Sequence, residues 1–230
     1  MIIVKNLTVQ AGDFRLEGAS FQLPTGKYGM LMGRTGSGKT TVLEAIAGLK
    51  SIESGTIILG DRDVTGRKPA ERDIGYVPQD GALFLTMSVR DHLSFALRIR
   101  KTAKDLINER VQQLAKLLEI EPLLDRRIPG LSGGEQQRVA IGRAISFRPD
   151  TLLMDEPLSA LDDDTREQMY DLLKHVQQET GVTVLHVTHH QYDVENLADV
   201  VFRIEDGKLV DANGKSKQKI KRSQEKPVSS

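Results

Sequence analysis

The chain of 230 residues contains no cysteine and no tryptophan, and only 4% of its residues are aromatic. The absence of cysteine excludes disulfides and cysteine-ligated zinc, and it fits a reducing compartment. An excess of either charge is also missing: 32 Lys and Arg balance 32 Asp and Glu, so no general attraction draws the chain to nucleic acid or anionic lipid. No apolar run approaches the ~18 residues of a membrane span, and the apolar start is too short for a secretory signal. We therefore expect a soluble protein that reaches a membrane only through a partner.

The chain contains 20 glycines. Three of them lie in residues 33–40, Gly-Arg-Thr-Gly-Ser-Gly-Lys-Thr, which fit the phosphate-loop pattern G-x-x-x-x-G-K-[ST]. The apolar residues 28–32 predict a buried strand before the loop, and the spacing of apolar residues after it predicts a helix over 39–49. The glycines allow a tight turn whose N–H groups, with the helix start, can hold a phosphate. Lys39 would reach the β- and γ-phosphates of a nucleotide, and the Thr40 hydroxyl would bind Mg²⁺. The alternative is a strand–helix turn without a ligand, but the flanking elements favour nucleotide binding.

The first part of the chain is rich in predicted strands. Alternating apolar residues predict strands over 2–9 and 14–23, and a change of apolar face near Gly18 predicts a bulge. A further β-rich stretch covers residues 56–64, with a turn at 60–61. These segments predict a largely antiparallel sheet beside the phosphate loop.

A change of period marks the middle of the chain. A short strand over 74–79 ends in Gln79, and from Ser88 to residue 125 apolar residues recur at helical spacing. This helical stretch lies between two strand-rich parts of the sequence. The predicted fold class is therefore α/β, with a P-loop NTPase core built on a parallel sheet, an N-terminal antiparallel β subdomain and an inserted α-helical subdomain.

Two later apolar strands end in polar side chains. Residues 151–154 lead into Asp155 and Glu156, and residues 182–187 lead towards His189. Ligands in open α/β sheets bind beyond the carboxyl ends of the strands. We therefore expect Asp155 to hold Mg²⁺ and Glu156 to accept a proton from an attacking water. The alternative for the Asp-Glu pair is charge stabilisation of a helix start.

The histidine pair leaves two candidates for a γ-phosphate contact. A lone histidine at a strand end is more often structural than catalytic, but this strand end shares an edge with the phosphate loop. His190 follows His189 directly. We favour His189 because it comes first after the strand.

Residues 131–138 read Leu-Ser-Gly-Gly-Glu-Gln-Gln-Arg and contain a capping box formed by Ser132 and Glu135. A helix is therefore predicted to begin at Gly133. Glycines in a first turn are poor helix formers, and they make sense where the backbone must approach another group closely. Capping alone is one explanation. The other is a second anion-binding helix start that meets a nucleotide held by another subunit.

A hairpin is predicted over residues 200–210, around Asp206-Gly207, and a polar segment follows it. Residues 212–230 contain six Lys or Arg, one acid and almost nothing apolar. We expect this basic tail to be disordered. Contact with a membrane surface or a partner is the alternative.

These segments, taken together, resemble the ATP-binding subunits of ABC transporters over about residues 2–210, with all motifs in the order typical of the family. Residues 131–138 are the most specific marker. The resemblance implies an ABC ATPase domain over 1–211 whose helical subdomain, about 88–148, is inserted in the α/β core. Its motifs are the Walker A loop at 33–40, the Q-loop at Gln79, the signature at 131–138, the Walker B strand at 151–156, the D-loop at 159–162 and the switch histidine at His189.

The resemblance implies ATP and Mg²⁺ as cofactors. Catalytic roles fall to Glu156, His189 and Gln79, and metal binding falls to Thr40, Gln79 and Asp155. The implied nucleotide contacts are Phe14, stacked on adenine, the loop residues Gly33, Arg34, Thr35, Gly36, Ser37, Gly38, Lys39, Thr40 and Thr41, and also Ser132, Gly133, Gly134 and Asp162.

Some residues depart from the common family pattern. Glu135 stands where many members have Gln, which leaves the Ser-Gly-Gly core of the signature intact. Phe14 replaces the commoner Tyr or Trp, although stacking needs only an aromatic face. His190 stands where many importers have an acidic or another polar residue. Many importers also carry a further C-terminal β domain, and we expect none here because a polar tail follows Val210.

The resemblance also implies partners. Residues 74–84 and 155–162 look like those of importers of small solutes and ions. We expect a head-to-tail dimer of two identical ATPase subunits, membrane permease subunits docked near residues 79–88, and a solute-binding protein, with no direct contact to nucleic acid. The expected location is cytoplasmic, peripheral on the inner face of the cell membrane.

Three other functions remain open from the sequence. One is the ATPase of an efflux or lipoprotein-release ABC system, and another is a non-transport ABC ATPase that acts on DNA or ribosomes. The coiled-coil insertions, cysteine zinc sites and paired cassettes of the non-transport members are not found in the sequence. A plain P-loop kinase is the third, and it leaves residues 131–138 unexplained.

Overall fold

The computed structural model describes residues 1–12, 14–205 and 207–211. The predicted basic tail, residues 212–230, lies outside the described residues, as does Asp206 in the turn of the predicted hairpin. The domain boundary at residue 211 therefore stays a prediction. Among the described residues, no helix is both long enough and apolar enough to cross a membrane.

The described residues form two sheets and six α-helices. The strands are β1 (Ile2–Ala11), β2 (Phe14–Leu23), β3 (Tyr28–Gly33), β4 (Ser54–Leu59), β5 (Arg62–Asp63), β6 (Ile74–Val77), β7 (Thr151–Asp155), β8 (Thr183–Thr188), β9 (Val200–Glu205) and β10 (Lys208–Asp211). The helices are α1 (Lys39–Ala47), α2 (Val89–Ile99), α3 (Lys104–Leu117), α4 (Gly133–Ile145), α5 (Asp163–Thr180) and α6 (Gln191–Leu197).

The smaller sheet has the order β2-β1-β4-β5, and its neighbouring strands are antiparallel. Leu7 pairs with Ala19 and Val9 pairs with Leu16, so the register of β2 shifts between these pairs. Gly18 lies in the shift with a φ of 62°, a conformation that glycine adopts at little cost. The bulge predicted near Gly18 is confirmed, and it brings the apolar residues on both sides of it to the buried face.

The larger sheet has the order β10-β9-β3-β8-β7-β6. Strands β9, β3, β8, β7 and β6 run parallel, and β10 closes the sheet as the antiparallel partner of β9. Each of β3, β7 and β8 is buried over almost its whole length because both faces of the sheet are covered. The predicted α/β fold, with a parallel sheet beside an antiparallel one, is confirmed.

The two faces of the larger sheet carry different layers. The apolar residues of α1 and the antiparallel sheet pack with Leu31 and Leu153 on one face. The apolar residues of α2 to α5 pack with Met30 and Met154 on the other face. Because successive strand residues point to opposite faces, neighbours such as Met30 and Leu31 serve different cores. The phosphate-loop segment joins β3, which contributes residues to both cores, to α1, which packs on the side of the antiparallel sheet.

Helix α1 is shorter than predicted. The spacing of apolar residues extended the helix to Leu49, but it ends at Ala47 and Leu49 is 56% exposed. Gly48 has a φ of 78°, and its N–H donates to the carbonyl of Ala45. The left-handed glycine ends the helix and turns Leu49 away from the core, so the predicted end of the helix was wrong.

Candidate active site

The carboxyl ends of four parallel strands lie at one edge of the larger sheet. Met32 of β3 pairs with Thr188 of β8, Asp155 of β7 pairs with Val187 of β8, and Val77 of β6 pairs with Met154 of β7. The residues that follow these strands therefore start from nearly the same level. This register brings together the phosphate loop, the Asp-Glu pair, the histidine pair and Gln79.

The phosphate loop is built to expose backbone N–H groups. Gly36 has a φ of 79° and Gly38 has a φ of 88°, and Gly38 caps α1 without any side-chain hydrogen bond. Ser37 Oγ is buried and has no hydrogen-bond partner among the described residues. An unpaired buried hydroxyl beside free N–H groups at a helix start fits a bound phosphate.

Lys39 lies folded over its own loop. Its ammonium donates to the carbonyls of Gly33 at 3.1 Å and Arg34 at 3.2 Å, and it lies 3.6 Å from Glu156 Oε1. The residue is only 5% exposed. A cation held in place by neutral carbonyls can transfer its hydrogen bonds to phosphate oxygens, which are charged and therefore stronger acceptors.

Thr40 and Asp155 form a pair of oxygen ligands. The Thr40 hydroxyl donates to Asp155 Oδ1 at 3.2 Å, and the carboxylate is almost fully buried at the end of β7. Burial raises the pKa of Asp155, and the hydrogen bond from Thr40 opposes this shift. Gln79 lines the same cavity as Thr40. A hydroxyl, a carboxylate and an amide carbonyl fit Mg²⁺, which prefers oxygen ligands and completes its coordination with phosphate and water.

Glu156 occupies a strained backbone position, with a φ of 44°. Its N–H donates to the carbonyl of Val187 at 2.9 Å, and its own carbonyl accepts from Ser159 N–H at 3.2 Å and Oγ at 2.9 Å. These bonds hold a conformation that side-chain-bearing residues rarely adopt, as often happens at functional sites. The strain fixes the direction in which the Glu156 carboxylate leaves the strand end.

The structure distinguishes the two histidines by their contacts. His189 Nδ1 lies 3.1 Å from Glu156 Oε2, whereas the ring of His190 packs beside that of His189 with centroids 4.0 Å apart. His190 instead anchors the backbone, because its N–H donates to Thr188 Oγ1 at 3.0 Å. The geometry favours His189 as the group that shares a site with Glu156, as the sequence predicts.

A buried polar network behind this edge was missed by the sequence analysis. Asp193 of α6 is 1% exposed and accepts hydrogen bonds from the hydroxyls of Tyr170 at 2.7 Å and Thr188. Since Thr188 also accepts from the backbone of His190, the network holds the segment that carries both histidines. Nearby in β8, burial lowers the pKa of His186 to about 4, and this neutral ring contacts the Tyr28 hydroxyl at 3.0 Å.

Two cavities flank the phosphate loop. One of about 360 Å³ is lined by Phe14, Gly38, Thr40, Gln79 and Glu156 among others. The Phe14 ring lies directly against the loop, so a Cβ at Gly38 would come within 2.1 Å of it. The other cavity, of about 850 Å³, is lined by the loop residues 33–37, by the end of β9 and by His189. Arg34, Thr35, Gly36 and Thr41 lie in these linings, and their nucleotide contacts stay predictions.

The predicted signature lies apart from both cavities, since none of its residues is among those that line them. Ser132 caps α4: its Oγ accepts from Glu135 N–H at 3.2 Å, and Glu135 Oε2 accepts from Ser132 N–H at 2.7 Å. Gly134 packs so closely on α5 that a Cβ would lie 2.7 Å from Thr165. Asp162 caps α5 by accepting from Thr165 N–H at 2.9 Å. The structure thus joins the signature to the D-loop, and their contacts with nucleotide stay predictions.

A sequence model of the family described as ABC transporter matches residues 16–159 of this chain. The match covers more than half of the chain and includes the phosphate loop, the signature and the Asp-Glu pair. The chain belongs to the ABC transporter family.

Curated relatives are ATP-binding proteins of import systems. The chain is 46% identical over 194 residues to the sn-glycerol-3-phosphate import ATP-binding protein UgpC of Rhizobium meliloti. This alignment covers 84% of the chain and 56% of that protein. It is 40% identical over 210 residues to the molybdate/tungstate import ATP-binding protein WtpC of Thermococcus kodakarensis. This second alignment covers 91% of the chain and 64% of that protein. The chain therefore spans less than two thirds of the length of these relatives.

Solved structures share the fold. The dimeric ABC transporter cassette MJ0796 is 28% identical, with a TM-score of 0.79 over 91% of this chain and 96% of that one. The cassette cbiO1 from Clostridium perfringens, part of the ABC transporter complex cbiONQ, is also 28% identical, with a TM-score of 0.86 over 96% of this chain and 93% of that one. A second MJ0796 structure, in a post-hydrolysis state, holds ADP and Pi.

Proposed function

We propose that this chain binds and hydrolyses ATP as a subunit of an ABC transporter that imports a small solute or ion through a separate membrane permease. The supporting observation is the convergence, at one sheet edge, of a phosphate-loop lysine, a hydroxyl–carboxylate pair and a carboxylate–histidine pair. In P-loop NTPases such groups hold the phosphates, the metal ion and the attacking water.

Metal binding falls to Thr40, Asp155 and Gln79. Bound Mg²⁺ would neutralise charge that develops on the transferred phosphoryl group. Thr40 and Asp155 already lie 3.2 Å apart, so a cation between them replaces a weak hydrogen bond with two ligand contacts. Ionised Asp155 is the form that binds the cation, and a cation offsets the burial that raises the pKa of this carboxyl group.

Glu156 acts as the general base in this proposal. Its carboxylate lies at the end of β7, next to the phosphate loop, where it accepts a proton from the water that attacks the γ-phosphate. His189, 3.1 Å from Glu156, orients that carboxylate and contacts the γ-phosphate. Phe14 supplies an aromatic face beside the loop for the adenine base.

A second copy of the chain completes each site. Ser132 and Gly133 are exposed at the start of α4, where the helix presents N–H groups and the positive end of its dipole. Two copies packed head to tail would each place Ser132 and Gly134 on the nucleotide of the other, with the Asp162 segment beside them. The dimeric state of the similar MJ0796 cassette supports a dimer here.

The membrane partner docks on the loop after Gln79. Phe84 is 45% exposed and Leu85 is 66% exposed, so this loop presents an apolar surface that a permease segment can cover. The names of the two relatives describe import of sn-glycerol-3-phosphate and of molybdate or tungstate, which supports import of a small solute or ion here. We place the chain on the inner face of the cell membrane, with a solute-binding protein on the far side.

The shared site is tested by mixing two inactive variants. Ser132→Arg should leave ATP binding by the isolated chain intact and block closure, because a bulky cation takes the place of the γ-phosphate contact. Lys39→Ala should weaken ATP binding itself. In a mixed dimer, one site carries both changes and the other carries neither, so mixing should restore part of the ATPase activity.

The matched control places both substitutions in one chain and mixes it with wild type. Each site of that dimer carries a single lesion, so the mixed dimers themselves should be inactive, and only the wild-type homodimers in the mixture should turn over ATP. Activity restored in the first mixture and none above that wild-type background in the second supports sites shared between copies. If Ser132→Arg removes ATP binding by the isolated chain, the signature serves its own nucleotide and the head-to-tail dimer is wrong.

A further inference from the structure

The loop between Gln79 and α2 has an unusual backbone. Gly81 has a φ of 67° and Ala82 has a φ of 45°, although Ala82 carries a side chain. The Gly81 N–H donates to the carbonyl of Pro78 at 2.9 Å, and the Ala82 N–H donates to Asp80 Oδ1 at 3.1 Å. A left-handed alanine persists only where the surroundings fix it, so the loop needs anchors beyond its own bonds.

Arg143, in the last turn of α4, is one such anchor. Its guanidinium donates to the carbonyl of Ala82 at 2.5 Å and to the carbonyl of Gly81 at 2.9 Å. No described carboxylate forms an ion pair with Arg143, so its hydrogen bonds go to the loop backbone. A planar fork that engages two successive carbonyls fixes direction as well as distance, which an ammonium group cannot do.

His92 of α2 anchors the following residues. Its side chain is fully buried, its Nε2 accepts from Phe84 N–H at 2.9 Å, and its Nδ1 contacts the carbonyl of Ser88 at 2.8 Å. Residues 81–84 are therefore attached to α2 and α4. Gln79, only two residues before Gly81, lines the nucleotide cavity with Thr40 and Glu156.

Helix α4 connects two distant places through its own length. It begins at Gly133, capped by Ser132, and Arg143 lies in its last turn. At ~1.5 Å per residue, Gly133 and Arg143 lie about 15 Å apart along one continuously hydrogen-bonded helix. Movement of its exposed start must therefore move the carbonyls that Arg143 holds.

We propose that Arg143 is a positioning residue that ties the loop after Gln79 to the signature helix, so that the helix start, Gln79 and the apolar docking residues move together. The proposal rests on the proposed function, because Gln79 and Ser132 act there on two nucleotides of a dimer. When Ser132 closes on the partner's nucleotide, Arg143 shifts the loop that carries the permease contact. Motion in the permease would act on Gln79 by the same route.

Arg110 provides a matched control. It lies on α3, and its guanidinium donates to the carbonyls of Ser146 and Ile145 at 3.0 Å each, at the same end of α4. Like Arg143, it is a partly buried arginine with two backbone acceptors. Unlike Arg143, it holds the helix to α3 and makes no contact with the loop. Substitution of either residue should therefore cost similar stability, but only one should free the loop.

The experiment measures amide hydrogen exchange of residues 80–87 in the nucleotide-free chain for wild type, Arg143→Lys and Arg110→Lys. Arg143→Lys should raise exchange of this loop roughly tenfold, because the paired bonds to its carbonyls are lost. Arg110→Lys should leave loop exchange unchanged. Arg143→Gln, which also lacks the fork, serves as a second variant if the lysine variant does not fold.

Loop exchange at the wild-type rate in the Arg143 variants, or equal acceleration by Arg110→Lys, would overturn the proposal. Amide exchange is measured without ATP, so this test of the Arg143 contacts does not depend on ATPase activity. If the wild-type chain shows no ATPase activity, only the proposed function is wrong. With an active wild type, Arg143→Lys should lower kcat while the Kd for ATP stays unchanged. A higher Kd with unchanged kcat would assign Arg143 to nucleotide binding instead and overturn the positioning role.

Discussion

The starts of α1 and α4 are both rich in glycine, but they are capped in different ways. Gly38 caps α1 with a left-handed backbone and no side-chain bond, which leaves the first N–H groups of the helix open. Ser132 caps α4 in a reciprocal pair with Glu135, so two of its N–H groups already have partners. The N–H groups at the start of α1 are therefore free to bind an anion, whereas the start of α4 is stabilised by its own side chains.

Their surroundings differ in the same direction. Buried Lys39 and Asp155 lie next to the start of α1, and the Phe14 ring covers Gly38. The start of α4 is more open: Ser132 and Gly133 are exposed, with Leu161 behind Gly133 and Thr165 of α5 behind Gly134. Under the proposed function, ATP at the start of α1 contacts groups of its own chain. The exposed start of α4 would contact the nucleotide that a second copy brings.

Glu156→Gln should have the largest effect, and it tests the site beside the start of α1. The amide cannot accept a proton from water, so turnover should fall by about 10²–10⁴-fold. ATP binding should persist, because Lys39 and the loop backbone are unchanged. Steady-state ATPase rates and equilibrium binding of labelled ATP measure the two effects separately. Hydrolysis near the wild-type rate would show that Glu156 is not the base.

Lys39→Ala should have the next largest effect. The substitution removes the one buried cation of the loop, and hydrogen bonds to charged groups contribute about 1.5–3 kcal/mol, so ATP affinity should fall roughly 10- to 150-fold. Arg34→Ala provides the control, since it removes an exposed cation from the same loop. Equal losses for both variants would mean that the general positive charge of the loop binds ATP, and that the buried position of Lys39 has no special role.

The sequence predicted most of the enclosed site because its signals are local. A phosphate-loop pattern between a strand and a helix, and acids after an apolar strand, need only neighbouring residues to be recognised. Parallel strands then bring their ends to one edge, so the meeting of Lys39, Asp155, Glu156 and His189 follows from topology. The start of α4 was predicted from the capping box for the same reason.

The features that were missed depend on contacts between distant parts of the chain. No local pattern marks Asp193 as a buried residue, and its bond with Tyr170, 23 positions earlier, is found only in the folded chain. Arg143 meets carbonyls more than 60 positions away, a relation that no periodicity contains. The early end of α1 was missed because one left-handed glycine overrides an apolar repeat.

Phe14→Ala should have a smaller effect that concerns only one end of the ligand. If the ring stacks on adenine, its loss should weaken ATP binding by about 1–3 kcal/mol, as base–aromatic stacking does elsewhere. Inorganic triphosphate, which has no base, serves as the control ligand and should bind equally well to both proteins. Equal loss for the two ligands would show that Phe14 acts by packing on Gly38 and supporting the loop.

Glu135→Gln should have the smallest effect, and it makes at α4 the same change of residue that Glu156→Gln makes beside α1. The amide oxygen can still accept from Ser132 N–H, so the cap should remain. Loss of a negative charge at a helix start costs about 0.3–1 kcal/mol. For a chain of this size, the melting temperature should fall by roughly 1–4 °C. Differential scanning calorimetry measures this change.

The ATPase turnover of Glu135→Gln tests whether the exposed start of α4 binds nucleotide or accepts a proton. Glu135 places a negative charge where a partner's triphosphate should arrive, so its removal should lower the KM for ATP and leave kcat within about twofold of wild type. Glu135→Ala, which also removes the bond to Ser132 N–H, should be less stable by about a further 1 kcal/mol. If Glu135→Gln instead stops turnover as Glu156→Gln does, the start of α4 contributes a proton acceptor, and the contrast between an enclosed catalytic helix start and an open binding one is wrong.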